Sequence, residues 1–360
     1  MQALQRQQAG DARRQGQRAA LTLAAGVACL LALAGCQTPP RSGGETATAV
    51  PGLTARDGVL GRSDRLLVYV PQGDDNYASI AQRFLGSASR DWEVAEANPG
   101  TPQARSGQPV IVPLKPLNPM GVRSGQYQTI PILCYHRVGQ GSGKMTVSSS
   151  SFEQQLDWLA ANNFKVIRLK DLIGFLEGRQ RLPQRSVVLT FDDGYASYYR
   201  YAYPLLKKHG FPATVFLYTD FVGAGDALTW PQMQEMTASG LVDIQSHSKT
   251  HSNLIERAAG ETDAAYAKRM EAEAKVPRDV IEKRLSNEVL TYAYPFGDVN
   301  EVVLEALARN RYRLAGTVTP GGNPAWAQPL MLRRTMIYGS HDLEAFKSKL
   351  QTLRSFTPSS

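Results

Sequence analysis

Between residues 130 and 317, short runs rich in β-branched and aromatic residues alternate with stretches of helical spacing. No other feature of the chain constrains its fold as tightly. The runs at 130–135, 165–167, 187–191, 213–218, 242–245, 291–294 and 313–317 predict strands. Helices are predicted at 152–162, 170–177, 197–209, 230–239, 264–285 and 302–310, the first with Leu156 and Leu159 on one face. Alternation sustained over about seven units implies parallel strands joined by helical crossovers. The expected fold class is therefore α/β, a distorted (β/α) barrel of about seven strands. In such folds chemistry collects at the carboxyl ends of the strands, so function is sought just after each run.

The run at 187–191 ends in Thr190-Phe191-Asp192-Asp193-Gly194. Two adjacent carboxylates at the end of a buried strand raise each other's pKa, and a bound cation resolves that conflict. A later strand end offers further ligands. The run at 242–245 leads into Ser246-His247-Ser248-Lys249-Thr250-His251. Two histidines four apart can place both imidazoles on one side of a helical turn, which suits a single metal ion. Together the two motifs specify a two-His, one-carboxylate site with open coordination positions. That donor set suits hydrolytic Zn²⁺ and also the Fe(II) of a non-haem oxygenase. The second acid beside the ligand favours hydrolysis, where the attacking water needs a base.

These two motifs resemble the first two motifs of the polysaccharide deacetylases, the NodB homology family or carbohydrate esterase family 4. Tyr294-Pro295-Phe296-Gly297 stands for the third motif, and Ile132-Leu133-Cys134-Tyr135-His136-Arg137-Val138 fits one branch of the family. The resemblance covers residues 128–350 and implies hydrolysis of an N-acetyl group on a sugar polymer, peptidoglycan or poly-N-acetylglucosamine. It implies Asp193, His247 and His251 as ligands of a divalent metal, Zn²⁺ first and Co²⁺ second, with Asp192 as the general base. The backbone N–H of Phe296 would serve the oxyanion, with Tyr294, Pro295 and Thr250 at the substrate. The same site would also serve an O-acetyl esterase. A catalytically silent, glycan-binding lipoprotein is the alternative from outside enzymology.

Two positions depart from the family pattern. The late Leu-x-His motif is missing, which leaves the general acid to be found among five histidines. His209 sits at a predicted helix end, whereas His136 follows the first strand and should open onto the same face as Asp192. His136 is thus preferred over His341. Ala293 stands where the family often carries an arginine that pairs with the base, and Arg334 is expected to supply that guanidinium instead. Cys134, lacking a partner, reads as a buried small hydrophobe.

Ahead of the barrel, residues 65–115 show a β-α-α-β order that resembles a LysM module. The matching phrases are Gly73-Asp74, Ser79-Ile80-Ala81-Gln82-Arg83-Phe84, Ala97-Asn98-Pro99-Gly100 and Gly107-Gln108-Pro109-Val110-Ile111-Val112-Pro113. The resemblance implies binding of glycans containing N-acetylglucosamine. Residues 36–64 read as a flexible tether, 116–127 as a linker and 351–360 as a tail. At the start, Arg13, Arg14 and Arg18 precede an apolar stretch, 19–34, that is short for a membrane span and leads to Leu33-Ala34-Gly35-Cys36. Residues 1–35 resemble a bacterial lipoprotein signal with Cys36 as the lipidated residue. Gln37 after it favours an outer-membrane anchor facing the periplasm. The formal charge is +8, of which residues 1–35 supply +3, and no dense Lys/Arg run occurs. Nucleic acid is therefore not an expected partner; a monomer acting on an N-acetylated polysaccharide, with its lipid in a membrane, is expected.

Overall fold

The computed structural model describes residues 57–356. The expected signal, Cys36 and the tether up to residue 56 lie outside the described residues. The first folded unit has strands β1 (Val59–Arg62), β2 (Leu66–Tyr69) and β3 (Val110–Pro113) in an antiparallel sheet of order β1-β2-β3. Helices α1 (Tyr77–Leu85) and α2 (Asp91–Ala97) lie between β2 and β3 in sequence. Asn76 caps α1 by accepting from the N–H groups of Ala78 and Ser79, and Ser79 returns the bond to Asn76. Leu67, Tyr69, Ile80, Val94 and Val112 form a small core, and Val59 joins it. The folded unit thus takes in residues expected as tether, and the β-α-α-β order gains a leading strand.

The larger part begins with β4 (Val122–Arg123), β5 (Gln126–Gln128), β6 (Ile130–Tyr135), β7 (Arg137–Gly139) and β8 (Thr146–Ser148). There follow α3 (Ser149–Ala161), β9 (Lys165–Val166), α4 (Asp171–Leu176), β10 (Ser186–Phe191), α5 (Tyr203–His209), β11 (Ala213–Leu217), α6 (Trp230–Ala238) and β12 (Val242–Ser246). The chain continues through α7 (Asp263–Leu285), β13 (Thr291–Ala293), α8 (Glu301–Arg309), β14 (Leu314–Gly316) and β15 (Gly322–Asn323). It closes with β16 (Thr335–Met336), α9 (Leu343–Lys347) and β17 (Leu353–Ser355).

Strands β14-β13-β12-β11-β10-β6 pair in parallel in that order, and β16 adds to β6 in parallel. This is the expected α/β architecture, a strongly curled seven-strand half-barrel. Residues 332–336 bridge its open side. Leu332 N donates to Ala315 O at 2.8 Å, while Thr335 and Met336 pair with Leu133 and Cys134. The seventh strand is β16 rather than the run at 165–167, which forms only the two-residue β9 at the start of β10. The expected linker and tail are also corrected, because β5 pairs with both β4 and β17. Strands of two or three residues carry too little alternation to be read from sequence.

The sheet is buried on both faces. Leu133, Leu189, Val215 and Ile244 pack outward under the helices. Ile132, Val188, Phe216 and Leu314 fill the interior. A two-residue side-chain period therefore sorts every barrel strand into an outer and an inner set.

Candidate active site

That period carries on past the strand ends. Val188 points inward in β10, so Thr190 and Asp192 share its side. Across the β6–β10 register Thr190 faces Cys134, and His136 follows two residues later. Parity and register thus bring Cys134, His136 and Asp192 together at the carboxyl end of the sheet.

Arg334 enters the same space from just before β16. Its Nη1 and Nη2 donate to Oδ1 and Oδ2 of Asp192 at 2.7 and 2.8 Å, and its Nε donates to Thr317 O at 3.0 Å. The side chains of Arg334 and Asp192 are 1% and 3% exposed. Burial pushes the Asp192 carboxyl up, but the Arg334 guanidinium and His247 outweigh it and bring the pKa down to about 2. Asp192 is accordingly ionised at neutral pH and held in one orientation by a two-pronged contact. The pairing expected of Arg334 is present. Gly316 admits it, because a Cβ there would lie 2.6 Å from Arg334 Cδ. Cys134 is buried, as expected, and its Sγ also donates to Asp192 Oδ2 at 3.3 Å, with burial holding the thiol well above its usual pKa. It is a neutral donor to Asp192 as well as part of the buried core.

Asp193, His247 and His251 bring one carboxylate oxygen and two ring nitrogens within 4.8 Å of one another. Asp193 Oδ1 lies 3.1 Å from Nε2 of His251 and 3.4 Å from Nε2 of His247. Neither approach is aligned as an N–H···O bond, so this buried oxygen is left without a hydrogen-bond partner. The Nδ1 of His247 is 2.7 Å from Ala293 O, a contact that places the ring proton on Nδ1 and frees Nε2. An orphaned carboxylate oxygen facing two ring nitrogens fits a divalent cation. Burial raises the Asp193 carboxyl, and His247 and His251 pull it well below the usual carboxylate range. The three residues can hold a metal while Asp192, tied to Arg334, stands beside them.

The backbone here is strained. Asp193, Ser248, His251 and Phe296 have φ of 72°, 78°, 61° and 62°, four of the eight left-handed non-glycine residues among those described. Each costs on the order of 1–3 kcal/mol. The His-x-x-x-His spacing thus works in an irregular loop, not in the helical turn the sequence suggested. Gly194 continues the Asp193 turn at φ 74°, where a Cβ would lie 2.5 Å from Leu217 Cδ1.

A cavity of about 340 Å³ opens above these groups, with His136, Asp192, Asp193, His247 and His251 among its lining. The Nδ1 of His136 is buried without a hydrogen-bond partner. Burial lowers the pKa of this ring, and Asp192 and Asp193 pull it back up. His341 does not line the cavity; its Nδ1 accepts from Tyr338 N at 3.1 Å within its own turn. His209 lies 3.2 Å from Asp157 at the end of α5. The exposed Phe296 ring stands at the cavity edge, 5.1 Å from the His251 ring.

Two of the expected substrate residues lie off the cavity lining. Thr250 turns its hydroxyl to Glu273 Oε1 at 2.8 Å, Pro295 is buried, and neither lines the cavity. Tyr294 does line it, but its hydroxyl donates to Leu330 O at 2.7 Å. Membership of a motif placed these residues near the site without deciding where their polar atoms point. Arg137, Tyr195 and Tyr338 line the cavity and were missed. The Arg137 guanidinium stacks 3.5 Å over the Tyr195 ring and pairs with Asp226. Tyr195 directly follows the Asp-Asp-Gly turn and Arg137 directly follows His136, so both could have been found from position; Tyr338 carried no such signal.

Residues 179–315 match the family described as polysaccharide deacetylase, a stretch that includes both acids, both histidines and residues 294–297. The chain carries a polysaccharide deacetylase domain. It is 27% identical over 225 residues to YxkH of Bacillus subtilis (strain 168), which bears a polysaccharide deacetylase name, over 62% of this chain and 77% of that one. It is 26% identical over 248 residues to the poly-beta-1,6-N-acetyl-D-glucosamine N-deacetylase of Escherichia coli (strain K12). That match spans 59% of this chain but only 37% of the E. coli enzyme. Among solved structures, the Streptococcus pyogenes deacetylase PplD in complex with acetate superposes with a TM-score of 0.57 at 28% identity. The superposition covers 62% of this chain and 98% of that one. Over the matched residues the chain is similar to polysaccharide deacetylase family enzymes.

Proposed function

We propose that this enzyme removes N-acetyl groups from a polysaccharide of N-acetylhexosamine units, poly-N-acetylglucosamine or the glycan of peptidoglycan. The observation that carries the proposal is the Asp192–Arg334 contact, which sets a buried, ionised carboxylate beside the three-ligand cluster rather than inside it. The name of the similar E. coli enzyme supports the substrate class.

In this scheme Asp193, His247 and His251 hold a divalent metal, Zn²⁺ or else Co²⁺. When bound, such an ion polarises the acetyl carbonyl and makes water more acidic. The remaining work belongs to the chain. Asp192 takes a proton from the water as its oxygen attacks the acetyl carbon. The backbone N–H of Phe296 donates to the carbonyl oxygen as negative charge builds there. The C–N bond then breaks, and His136 gives its proton to the departing nitrogen, leaving acetate and a free amine. Burial lowers the pKa of the His136 ring, and the two neighbouring carboxylates offset only part of that shift toward the neutral form. The N-terminal unit, as a LysM-like module, holds a glycan strand. Lipid on Cys36 would retain the monomeric enzyme at the outer membrane, facing the periplasm, and such tethering raises the effective substrate concentration.

Acetate release by a soluble form, residues 37–360, supplied with Zn²⁺ or Co²⁺, tests the proposal on poly-N-acetylglucosamine, peptidoglycan, chitooligosaccharides and acetylxylan. Release from an N-acetylated glycan that Asp192→Asn abolishes supports it. Release from acetylxylan alone makes the enzyme an esterase. Equal release by wild type and Asp192→Asn on every substrate leaves only glycan binding.

A further inference from the structure

Helix α7 carries a buried carboxylate that no step above uses. Glu273 is 4% exposed. Its Oε2 accepts from Lys249 N at 2.8 Å and from Thr250 N at 3.0 Å, and its Oε1 accepts from Thr250 Oγ1 at 2.8 Å. All three donors belong to the loop between the two histidines of the metal cluster. Two consecutive peptide N–H groups converging on one carboxylate form an anion-binding nest, and hydrogen bonds to a carboxylate are stronger than those between neutral groups.

The two histidines are not held alike. His247 directly follows β12, its Nδ1 is tied to Ala293 O, and its side chain is 2% exposed. His251 lies beyond the strand, its side chain is 25% exposed, and its backbone is left-handed, as is that of Ser248. Within the loop, its N–H donates to Ser248 Oγ at 2.8 Å. The sheet therefore sets His247, while His251 depends on the conformation of residues 248–251. We infer that Glu273 is a positioning residue for His251, clamping this loop from α7 so that the imidazole meets Asp193. It touches neither the cavity nor a reacting atom. The inference rests on the proposed metal role of Asp193, His247 and His251.

The chemistry selects the variant. Glu273→Gln keeps the size of the side chain but leaves one acceptor oxygen and turns an amide donor toward the backbone donors of the loop. Metal-free full-length protein is titrated with Co²⁺, the cation alone, and followed by its visible absorption, with circular dichroism reporting the fold. Folded Glu273→Gln is expected to bind Co²⁺ about 10–100-fold more weakly, the range for residues that orient a ligand. In a His251→Ala background the same substitution should change affinity less than twofold, because its effect runs through that ring. Thr250→Val removes only the hydroxyl donor and should weaken binding by a smaller factor. Unchanged Co²⁺ affinity in folded Glu273→Gln overturns the inference, as does an equal loss with and without His251. If Glu273→Gln does not fold, Thr250→Val decides, and wild-type affinity there overturns it. Absence of Co²⁺ binding by the wild type defeats the metal proposal itself and shows before any variant is compared.

Discussion

Asp192 carries its charge where burial alone would remove it, because Arg334 reaches both of its oxygens. Replacing one partner of such a pair strands the other. Arg334→Met is expected to cost roughly 3–5 kcal/mol in urea unfolding and to lower turnover while bound metal stays stoichiometric. Wild-type turnover in that variant would show that the proposed role of Asp192 does not need Arg334. Asp192→Asn keeps the shape but cannot take a proton, so acetate release should fall about 10²–10⁴-fold. The pH dependence follows in sign. The Asp192 pKa lies at about 2 in the folded protein against an ordinary 3.8, so its contribution is present above pH 4 and lost as pH falls toward 2. Metal-free wild type should lose roughly 2 kcal/mol over that interval, and Asp192→Asn should show a flatter slope in denaturant titrations. Of these residues, Asp192, Asp193, His247 and His251 stood out in the sequence by adjacency and spacing. Cys134 did not, although its two-residue spacing from His136, just past β6, placed it on the side of Asp192.

At the level of elements, the site is made from loops that leave β6, β10, β12 and β13 at the same end. Long periodic elements such as α7 and the apolar β10 were legible because their patterns span several turns or repeats. The pairs β7–β8 and β4–β5 and the strand β16 were not, since two or three residues show no period. Helix 197–209 was expected to run unbroken, but it opens with a wider turn at Tyr198–Ala202 before α5. A contact between β14 and the residue before β16 has a testable consequence. Gly316→Ala puts a methyl group 2.6 Å from Arg334 Cδ, so the guanidinium must shift off Asp192. The expected outcome is a stability loss of about 1–3 kcal/mol by thermal unfolding, together with reduced turnover. Full activity in Gly316→Ala would show that Arg334 tolerates displacement.

Across the whole molecule, the N-terminal unit docks at the end of the barrel remote from the catalytic cavity. Glu96 of α2 accepts from Gln184 N at 2.8 Å and pairs with Arg181, both in the segment leading into the amino end of β10. A cleft of about 520 Å³ lies beside this joint, between Trp92 and Pro212, away from the catalytic groups. Glu96→Ala should loosen the unit and speed limited proteolysis between residues 114 and 121, with acetate release from short oligosaccharides unchanged. Unaltered proteolysis would mean that apolar contacts alone hold the joint. What the sequence by itself determined were features written in short-range patterns: the strand–helix alternation, the paired acids and the paired histidines. Only the tertiary structure decided which polar atoms meet. Arg334 reaches Asp192 across 142 residues because the sheet curls until residues 332–336 lie beside β6. Glu273 reaches the histidine loop because α7 packs against β12. Such contacts depend on closure and register, and neither leaves a trace in the spacing of residues along the chain.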